Sequence, residues 1–267
     1  MRSTVAHGEI LSIDVDDARS MPGVVAVYTS ADLGISDRPP PMGFYAAEAV
    51  RPFLARDHVR FVGEPVAVVV AETAYQAADA AESVWADISP MTAVVSLDDS
   101  AAAGTVLCET RDDNIMWQIP SSGAIDFSDC EVVVTGELWN SRVAAVSIEP
   151  RVVAASFADG KLTYWASSQG THDFRDGAAT CLGMDPSEIR VLVKDVGGGF
   201  GAEGMISEEE VIVGQLSRLV GRPVRWVESR TENLSAFVHG RAQAQTVTVG
   251  GTRDGRVTHY RLDVVQD

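Results

Sequence analysis

The stretch DVGGGFGAEG, residues 195–204, holds five glycines and one phenylalanine within ten residues. An apolar run at residues 189–193 precedes it and predicts a strand, whereas Ser207 and the three acids at 208–210 predict the start of a helix. Glycine allows positive φ angles and close approach of the backbone to a ligand. The stretch therefore predicts a backbone cradle, because a flexible linker would not normally lie between a buried strand and a capped helix.

Three of these glycines, Gly199, Gly201 and Gly204, also fit the G-x-G-x-x-G fingerprint of dinucleotide-binding domains. A second strand at residues 224–227 and then Glu228 follow, where a ribose-binding carboxylate belongs. The remaining residues, however, predict a loop and an antiparallel hairpin in place of further strand–helix repeats. NAD binding and a structural turn without a ligand both stay open as alternatives. A phosphate-binding P-loop is excluded because no Gly-Lys-Ser/Thr follows the glycines.

The overall charge limits the classes of partner. With 21 Lys and Arg against 38 Asp and Glu, the formal net charge is −17, which disfavours binding to nucleic acid and anionic lipid. No apolar run approaches the roughly 18 residues that a membrane span needs, and the amino terminus lacks a signal-peptide core. We therefore expect a soluble, cytoplasmic protein.

The cysteines give no sign of a metal centre. Cys108, Cys130 and Cys181 lie far apart and form no C-x-x-C motif, and the five histidines are equally scattered. This spacing argues against a disulfide framework, a structural zinc ion or an iron–sulfur cluster in this chain. We expect no metal ligated directly by the protein, so that any metal would arrive as part of a cofactor.

Periodicity divides the chain into two α+β units. The first is predicted to contain strands near residues 10–15, 24–28 and 66–71, a proline-rich loop at 38–43, and a helix that Thr73 caps and that continues through Trp85. The second is predicted to contain a strand at 131–138, a hairpin turning at Asp159 and Gly160, a helix at 172–182 ended by Gly183, and a hairpin turning at Asp254 and Gly255. Residues 101–127 show no sustained period.

Six segments, in a fixed order, resemble one known family. They include RSTVAHGEI at 2–10, FVGEPVAVVVAETAYQAADAAESV at 61–84, SIEPRVVAAS at 147–156, and VKDVGGGFGAEG at 193–204. Asn114 also matches an asparagine in the family's interdomain stretch. The sequence is similar to the amino-terminal part of the molybdenum hydroxylase large subunits, the molybdopterin-binding subunits of the xanthine dehydrogenase, aldehyde oxidase and carbon monoxide dehydrogenase family.

The resemblance implies a fold and a cofactor. It implies an α+β chain with an a/b hammerhead domain at 1–110, an interdomain connection at 111–127, and the first portion of a molybdopterin-binding domain at 128–267. The cofactor implied is a molybdenum–pterin, in bacteria usually with a cytosine dinucleotide tail. By match to the family motif, Gln169 would donate a hydrogen bond to an oxo ligand, and Gly198, Gly199, Phe200 and Gly201 would contact the cofactor.

The resemblance also implies partners and a reaction. Such enzymes insert water-derived oxygen into an aldehyde or N-heteroaromatic substrate, and electrons leave through iron–sulfur and FAD modules, which here are expected on partner chains. For the motif Glu149-Pro150-Arg151, a buried Glu–Arg pair and a substrate contact both stay open, whereas Glu228 and Arg230 are expected to form a structural ion pair.

Two departures from the family pattern limit these implications. Many relatives have lysine and, in the purine-oxidising branch, glutamate where this chain has Glu203 and Gly204, so a purine substrate is not expected. The glutamate that acts as general base in the family lies beyond residue 267, which leaves the catalytic residues unknown. We therefore expect an active site that needs a further chain. A catalytically inactive, cofactor-free interaction domain is the alternative.

Overall fold

The computed structural model describes residues 1–40, 42–102, 104–119 and 123–267. Pro41 of the predicted proline-rich loop and residues 120–122 of the predicted connection lie outside these ranges. The strands are β1 Gly8–Asp14, β2 Val24–Tyr28, β3 His58–Val59, β4 Val68–Ala71, β5 Trp85–Pro90, β6 Val132–Asn140, β7 Val143–Ala144, β8 Val152–Ala158, β9 Lys161–Ala166, β10 Ile189–Leu192, β11 Val224–Val227, β12 His239–Gly240, β13 Gln243–Gly251 and β14 Val257–Gln266. The helices are α1 Asp16–Ser20, α2 Ala74–Glu82, α3 Leu97–Ala101, α4 Thr171–Leu182, α5 Glu208–Val220 and α6 Arg230–Ala236. The prediction of a mixed α+β fold is confirmed.

The amino-terminal unit, residues 1–102 as described, is built on two small antiparallel sheets. One has the order β3-β1-β5 and the other pairs β2 with β4. Thr73 caps α2 as predicted, with its side chain accepting a hydrogen bond from the backbone N–H of Gln76. The prediction that this helix continues through Trp85 was wrong. The helix ends at its C-cap Ser83, and Trp85 is the first residue of β5, opposite Asp14 of β1. The backbone hydrogen bonds between β5 and the edge of β1 replace a further helical turn.

The carboxyl-terminal unit, residues 123–267, contains a four-stranded sheet in the order β10-β9-β8-β11. The hairpin between β8 and β9 turns at Asp159 and Gly160, whose φ angles of 50° and 75° are those that an Asp-Gly turn favours. Helices α4 and α5 both pack on this sheet. Gly183 and Gly221 end these two helices in the left-handed conformation, so both predicted helix ends are confirmed.

The position of β10 and β11 contradicts the dinucleotide-binding alternative. In a Rossmann unit the strand before the glycine loop and the strand after the following helix lie in a sheet continued by further strand–helix repeats. Here β10 and β11 form the opposite edges of the four-stranded sheet, separated by the β8–β9 hairpin. The chain after β11 adds only α6 and antiparallel strands. The glycine fingerprint therefore lies in a different topology from the one that binds NAD.

The last sheet has the order β14-β13-β6. Its central strand β13 pairs antiparallel with β14 and with β6 along its whole length, from Gln243 to Gly251. Every residue of β6 is exposed, including the large apolar side chains of Val134, Leu138 and Trp139. This sheet stands apart from the buried core.

The two units share a core and a set of ion pairs. Leu33, Phe53 and Leu54 of the amino-terminal unit pack into the same buried cluster as the residues of β8, β9 and α5. Arg2 donates to Glu209 of α5 at 2.9 Å and to Glu232 of α6 at 3.0 Å. In the part of the chain that the structure describes, no helix combines the length and the apolar character that crossing a membrane requires.

Candidate functional site

The glycine stretch forms a tight loop between β10 and α5. Gly198, Phe200 and Gly201 have positive φ angles of 119°, 49° and 89°. This conformation is ordinary for glycine and uncommon for phenylalanine. It turns the Phe200 side chain outward, where 77% of the residue is exposed. A large exposed aromatic residue on a constrained backbone is typical of a ligand contact rather than of a core position.

Two further glycines allow neighbouring segments to approach the loop. A Cβ atom on Gly199 would lie 2.6 Å from Oε1 of Gln169, and one on Gly197 would lie 2.4 Å from Cβ of Glu149. Neither position could accept a side chain without displacing its neighbour. The glycines are therefore required by close packing of the loop against Gln169 and Glu149.

Gln169 fixes the loop from the end of β9. Its Oε1 accepts a hydrogen bond from the backbone N–H of Gly201 at 2.8 Å, and its own backbone N–H donates to the carbonyl of Glu203 at 3.0 Å. Among the described residues, its Nε2 amide has no acceptor, and the backbone N–H groups of Gly198 and Phe200 have none either. The structure thus brings Gln169, Gly198, Gly199, Phe200 and Gly201 together around unused hydrogen-bond donors.

Glu203 is the buried carboxyl group near the end of the glycine stretch, and its carbonyl accepts the hydrogen bond from the Gln169 backbone. It is only 5% exposed, and its buried Oε2 has no hydrogen-bond partner among the described residues. Burial raises the pKa of the Glu203 carboxyl to about 7, and the nearby Arg151 only partly offsets that effect. A carboxylic acid that holds its proton near neutral pH is therefore placed against the loop.

A buried ion-pair cluster centred on Arg151 lies next to Glu203. Arg151 is 2% exposed and donates to Glu228 at 3.1 Å through Nε and to Glu209 at 2.8 Å through a terminal nitrogen. Its guanidinium also lies over the ring of Phe237, at 4.1 Å from the centroid. Burial disfavours the charge on Arg151, but Glu209 and Glu228 raise its pKa above the usual value.

The predicted pairing of Glu228 with Arg230 was wrong, and Glu149 does not pair with Arg151. Glu149 accepts from the backbone N–H of Gly197 at 2.7 Å, and Arg230 donates to the carbonyl of Ile148 at 3.0 Å. Arg151 and Glu228 pair with each other instead, because β8 and β11 are neighbouring antiparallel strands that bring the two ends together. Glu228 is buried in this pair, which also removes it as a ribose-binding acid.

Two protein-family models match the chain, one for each of its two parts. The model of the molybdopterin cofactor-binding domain matches residues 108–267, and that of the aldehyde oxidase and xanthine dehydrogenase a/b hammerhead domain matches residues 1–91. The chain belongs to the molybdopterin-binding aldehyde oxidase and xanthine dehydrogenase family. The resemblance inferred from the sequence is thus confirmed.

Relatives of known name support this assignment to the molybdopterin-binding family. The nicotine 6-hydroxylase large subunit of Paenarthrobacter nicotinovorans is 36% identical over the whole chain, which covers 34% of that protein. The quinoline 2-oxidoreductase of Pseudomonas putida 86 superposes with a TM-score of 0.86 at 32% identity, with 100% of this chain and 35% of that chain covered. The CO dehydrogenase of Oligotropha carboxidovorans gives 0.89 at 31% identity, with 99% and 35% covered. The chain spans about a third of the length of these relatives.

The residues of the loop fit a molybdenum–pterin of this family. Free N–H groups at Gly198 and Phe200 and the free amide of Gln169 suit oxo and phosphate oxygens. The missing Cβ atoms at Gly197 and Gly199 let Glu149 and Gln169 pack directly against the loop, which holds its backbone in this conformation.

Proposed function

We propose that this chain forms the molybdenum–pterin-binding part of an oxidoreductase that hydroxylates an N-heteroaromatic or aldehyde carbon with oxygen derived from water. The observation that carries the proposal is the loop at 197–201, closed by Gln169, with free hydrogen-bond donors at Gly198, Phe200 and Gln169. The relatives named for nicotine and quinoline favour an N-heteroaromatic substrate, since both of these compounds are N-heterocycles.

When bound, the cofactor supplies the oxygen-transfer and electron-accepting chemistry, and the chain positions it. Gln169 would donate a hydrogen bond through Nε2 to an anionic oxygen of the group while its Oε1 keeps the Gly201 N–H in place. Phe200 would provide an apolar wall beside the reacting carbon, since its ring is exposed at the loop tip. These contacts would orient the cofactor and exclude water from one side of it.

We also propose that this chain works together with the rest of a large subunit and with partner chains. The chain covers about a third of its relatives, and a general-base carboxylate, an FAD module and iron–sulfur clusters are expected on the remaining part of the large subunit or on partner chains. The cytosine dinucleotide form of the pterin is the form proposed.

The first prediction concerns Gln169. We expect Gln169→Ala to retain about tenfold less molybdenum after expression with the partner chains, because the amide holds both the loop and the cofactor oxygen. The measurement is molybdenum and pterin per mole of purified complex. Gln245→Ala, which changes a glutamine on β13 bonded only to Gln243, serves as the matched control and should keep the wild-type content.

Two outcomes would contradict the assignment. Equal molybdenum in Gln169→Ala and wild type would remove Gln169 from the cofactor site. Absence of both molybdenum and pterin from the wild-type complex would favour an inactive interaction domain instead.

A further inference from the structure

Three side chains that can ligate metals meet at the end of the β14-β13-β6 sheet. The Sγ of Cys130 lies 3.3 Å from Nδ1 of His259 and 3.8 Å from Oδ1 of Asp129. The same Asp129 oxygen lies 3.6 Å from Nε2 of His259. This cluster belongs to the exposed last sheet, whereas the glycine loop belongs to the four-stranded sheet and α5. It takes no part in the proposed molybdenum–pterin site.

We infer that Asp129, Cys130 and His259 form a binding site for one divalent transition-metal ion of the zinc class. Ligand bonds of about 2.0–2.3 Å in a tetrahedral zinc site place neighbouring ligand atoms roughly 3.3–3.8 Å apart. With Nδ1 of His259 as the imidazole ligand, the separations of Sγ from that nitrogen and from the carboxylate oxygen already have these values. The carboxylate oxygen lies beside Nε2, so the Asp129 side chain has to rotate towards Nδ1 for the three residues, whose ligand atoms lie within 4.8 Å of one another, to surround one ion.

The Cys130 side chain fits beside His259 because the neighbouring residue of β13, Gly250, has no side chain. Gly250 of the central strand β13 lies opposite His259 of β14 and opposite Val133 of β6. A Cβ atom on Gly250 would lie 2.5 Å from Sγ of Cys130, so any other residue would push the thiol away from the histidine. The ring of Phe127 covers that of His259 at 5.7 Å between centroids. The Cys130 thiol thus reaches His259 over the backbone of the strand between them.

The chemistry of the donor set selects the kind of ion. A cysteine thiolate with an imidazole favours Zn²⁺ or Co²⁺ over Mg²⁺ and Ca²⁺, which prefer oxygen ligands throughout. Metal binding at Nδ1 of His259 would replace the 2.9 Å contact between that nitrogen and Thr258 Oγ1. Asp129 is exposed on the solvent side, with 74% of its side chain accessible, so water can take a fourth position. The site could not be predicted from the sequence, because His259 lies 129 positions after Cys130.

Cobalt titration of the full 267-residue protein under reducing conditions tests the inference. We expect one equivalent of Co²⁺ to produce a thiolate-to-cobalt charge-transfer band in the near ultraviolet and the visible bands of a tetrahedral ion. Added Zn²⁺ should displace the cobalt and abolish both sets of bands. Cys130→Ser and His259→Ala should lose the charge-transfer band, and Asp129→Asn should bind about tenfold more weakly.

The other cysteines provide matched controls. Cys108→Ser and Cys181→Ser should keep the full band, because neither thiol has a histidine partner among the described residues. The inference is overturned if the wild type gives no thiolate–cobalt band, if the band survives in Cys130→Ser, or if it disappears in either control. Far-ultraviolet circular dichroism of each variant checks that the fold is retained. Gln169→Ala should titrate like the wild type, which separates this test from that of the molybdenum site.

Discussion

Glu203 is a buried residue whose pKa is raised by its surroundings. Oε2 of Glu203 is buried and has no hydrogen-bond partner in the described part of the chain, and the carboxylates of Glu149 and Glu228 raise the pKa of Glu203 further, beyond the effect of burial. The neutral acid is the form that this pocket favours.

The stability of the protein should therefore change with pH through Glu203. The folded-state pKa of about 7 lies above the ordinary 4.5, so the stability due to this group is fully present below pH 4.5 and is lost as the pH rises through about 7. We expect Glu203→Gln to raise the melting temperature at pH 8 and to change it little at pH 4.5. Scanning calorimetry at both values measures the difference.

An exposed residue serves as the control for this prediction. Glu137→Gln, on the exposed strand β6, should show no difference between the two pH values. A gain in melting temperature for Glu203→Gln that is equal at pH 4.5 and pH 8 would contradict a buried, proton-holding carboxyl.

For single residues, the sequence predicts which members of a motif share a site, but it does not predict contacts between residues that are far apart along the chain. The loop glycines and Gln169, which the family motif assigns to one site, lie together in the structure. The pairing of Arg151 with Glu228 was missed because the two residues lie 77 positions apart and meet only through the antiparallel register of β8 and β11. The Cys130–His259 contact was missed for the same reason.

Helix α5 is the element that connects the loop with the core. Ser207 and Glu210 form a capping box at its start, as the acidic run after Ser207 suggested, and its buried face packs on β8. In the middle of that face, Gly214 lies against Tyr164 of β9. A Cβ atom there would lie 1.7 Å from the tyrosine hydroxyl oxygen and 2.6 Å from Cζ. The glycine sets how closely the helix approaches the sheet.

We expect Gly214→Ala to destabilise the protein although alanine favours helix formation. The intrinsic gain of about 1 kcal/mol should be outweighed by overpacking of roughly 1–3 kcal/mol or more, because Tyr164 is fully enclosed and cannot move aside. Urea denaturation measures the change in unfolding free energy. Gly136→Ala, where an added Cβ meets nothing within 4 Å, is the control and should leave the stability nearly unchanged. A stabilised Gly214→Ala would show that α5 is free to shift.

The sequence predicts single helices and hairpins better than it predicts the order of strands in the sheets. Caps, turn residues and apolar periods located the long helices and both hairpins within a few residues. Helix α6 was overlooked although Ser229 and Glu232 form a capping box at its start, a pattern that is visible in the sequence. The order β10-β9-β8-β11 could not be read from the sequence, because strand order depends on pairing between distant segments.

Several arginines join the two units of the molecule, and two of them lie in different environments. Arg2 is largely buried between Glu209 and Glu232, whereas Arg222 pairs with Glu72 at 2.8 Å with both side chains exposed. Removal of Arg2 takes the arginine away from Glu232 and leaves Glu209 with Arg151 alone, while an exposed pair contributes little.

Arg2→Met should therefore destabilise the protein by about 2–4 kcal/mol and Arg222→Met by less than about 1 kcal/mol. Chemical denaturation followed by circular dichroism compares the two variants. Because Leu33, Phe53 and Leu54 also lie in the shared core, we expect a single transition in the wild type. Equal losses from both substitutions would mean that burial does not distinguish the two contacts.

The pairing of β6 with β13 has a consequence for synthesis of the chain. Val132 lies opposite Gly251 and Asn140 opposite Gln243, so β6 leaves the ribosome roughly 100–120 residues before its partner. At about 5–20 residues per second, this strand remains unpaired for on the order of ten seconds. A nascent strand that includes Val132, Val133 and Val134 is a natural target for a chaperone during that interval, and a cause of aggregation when translation pauses.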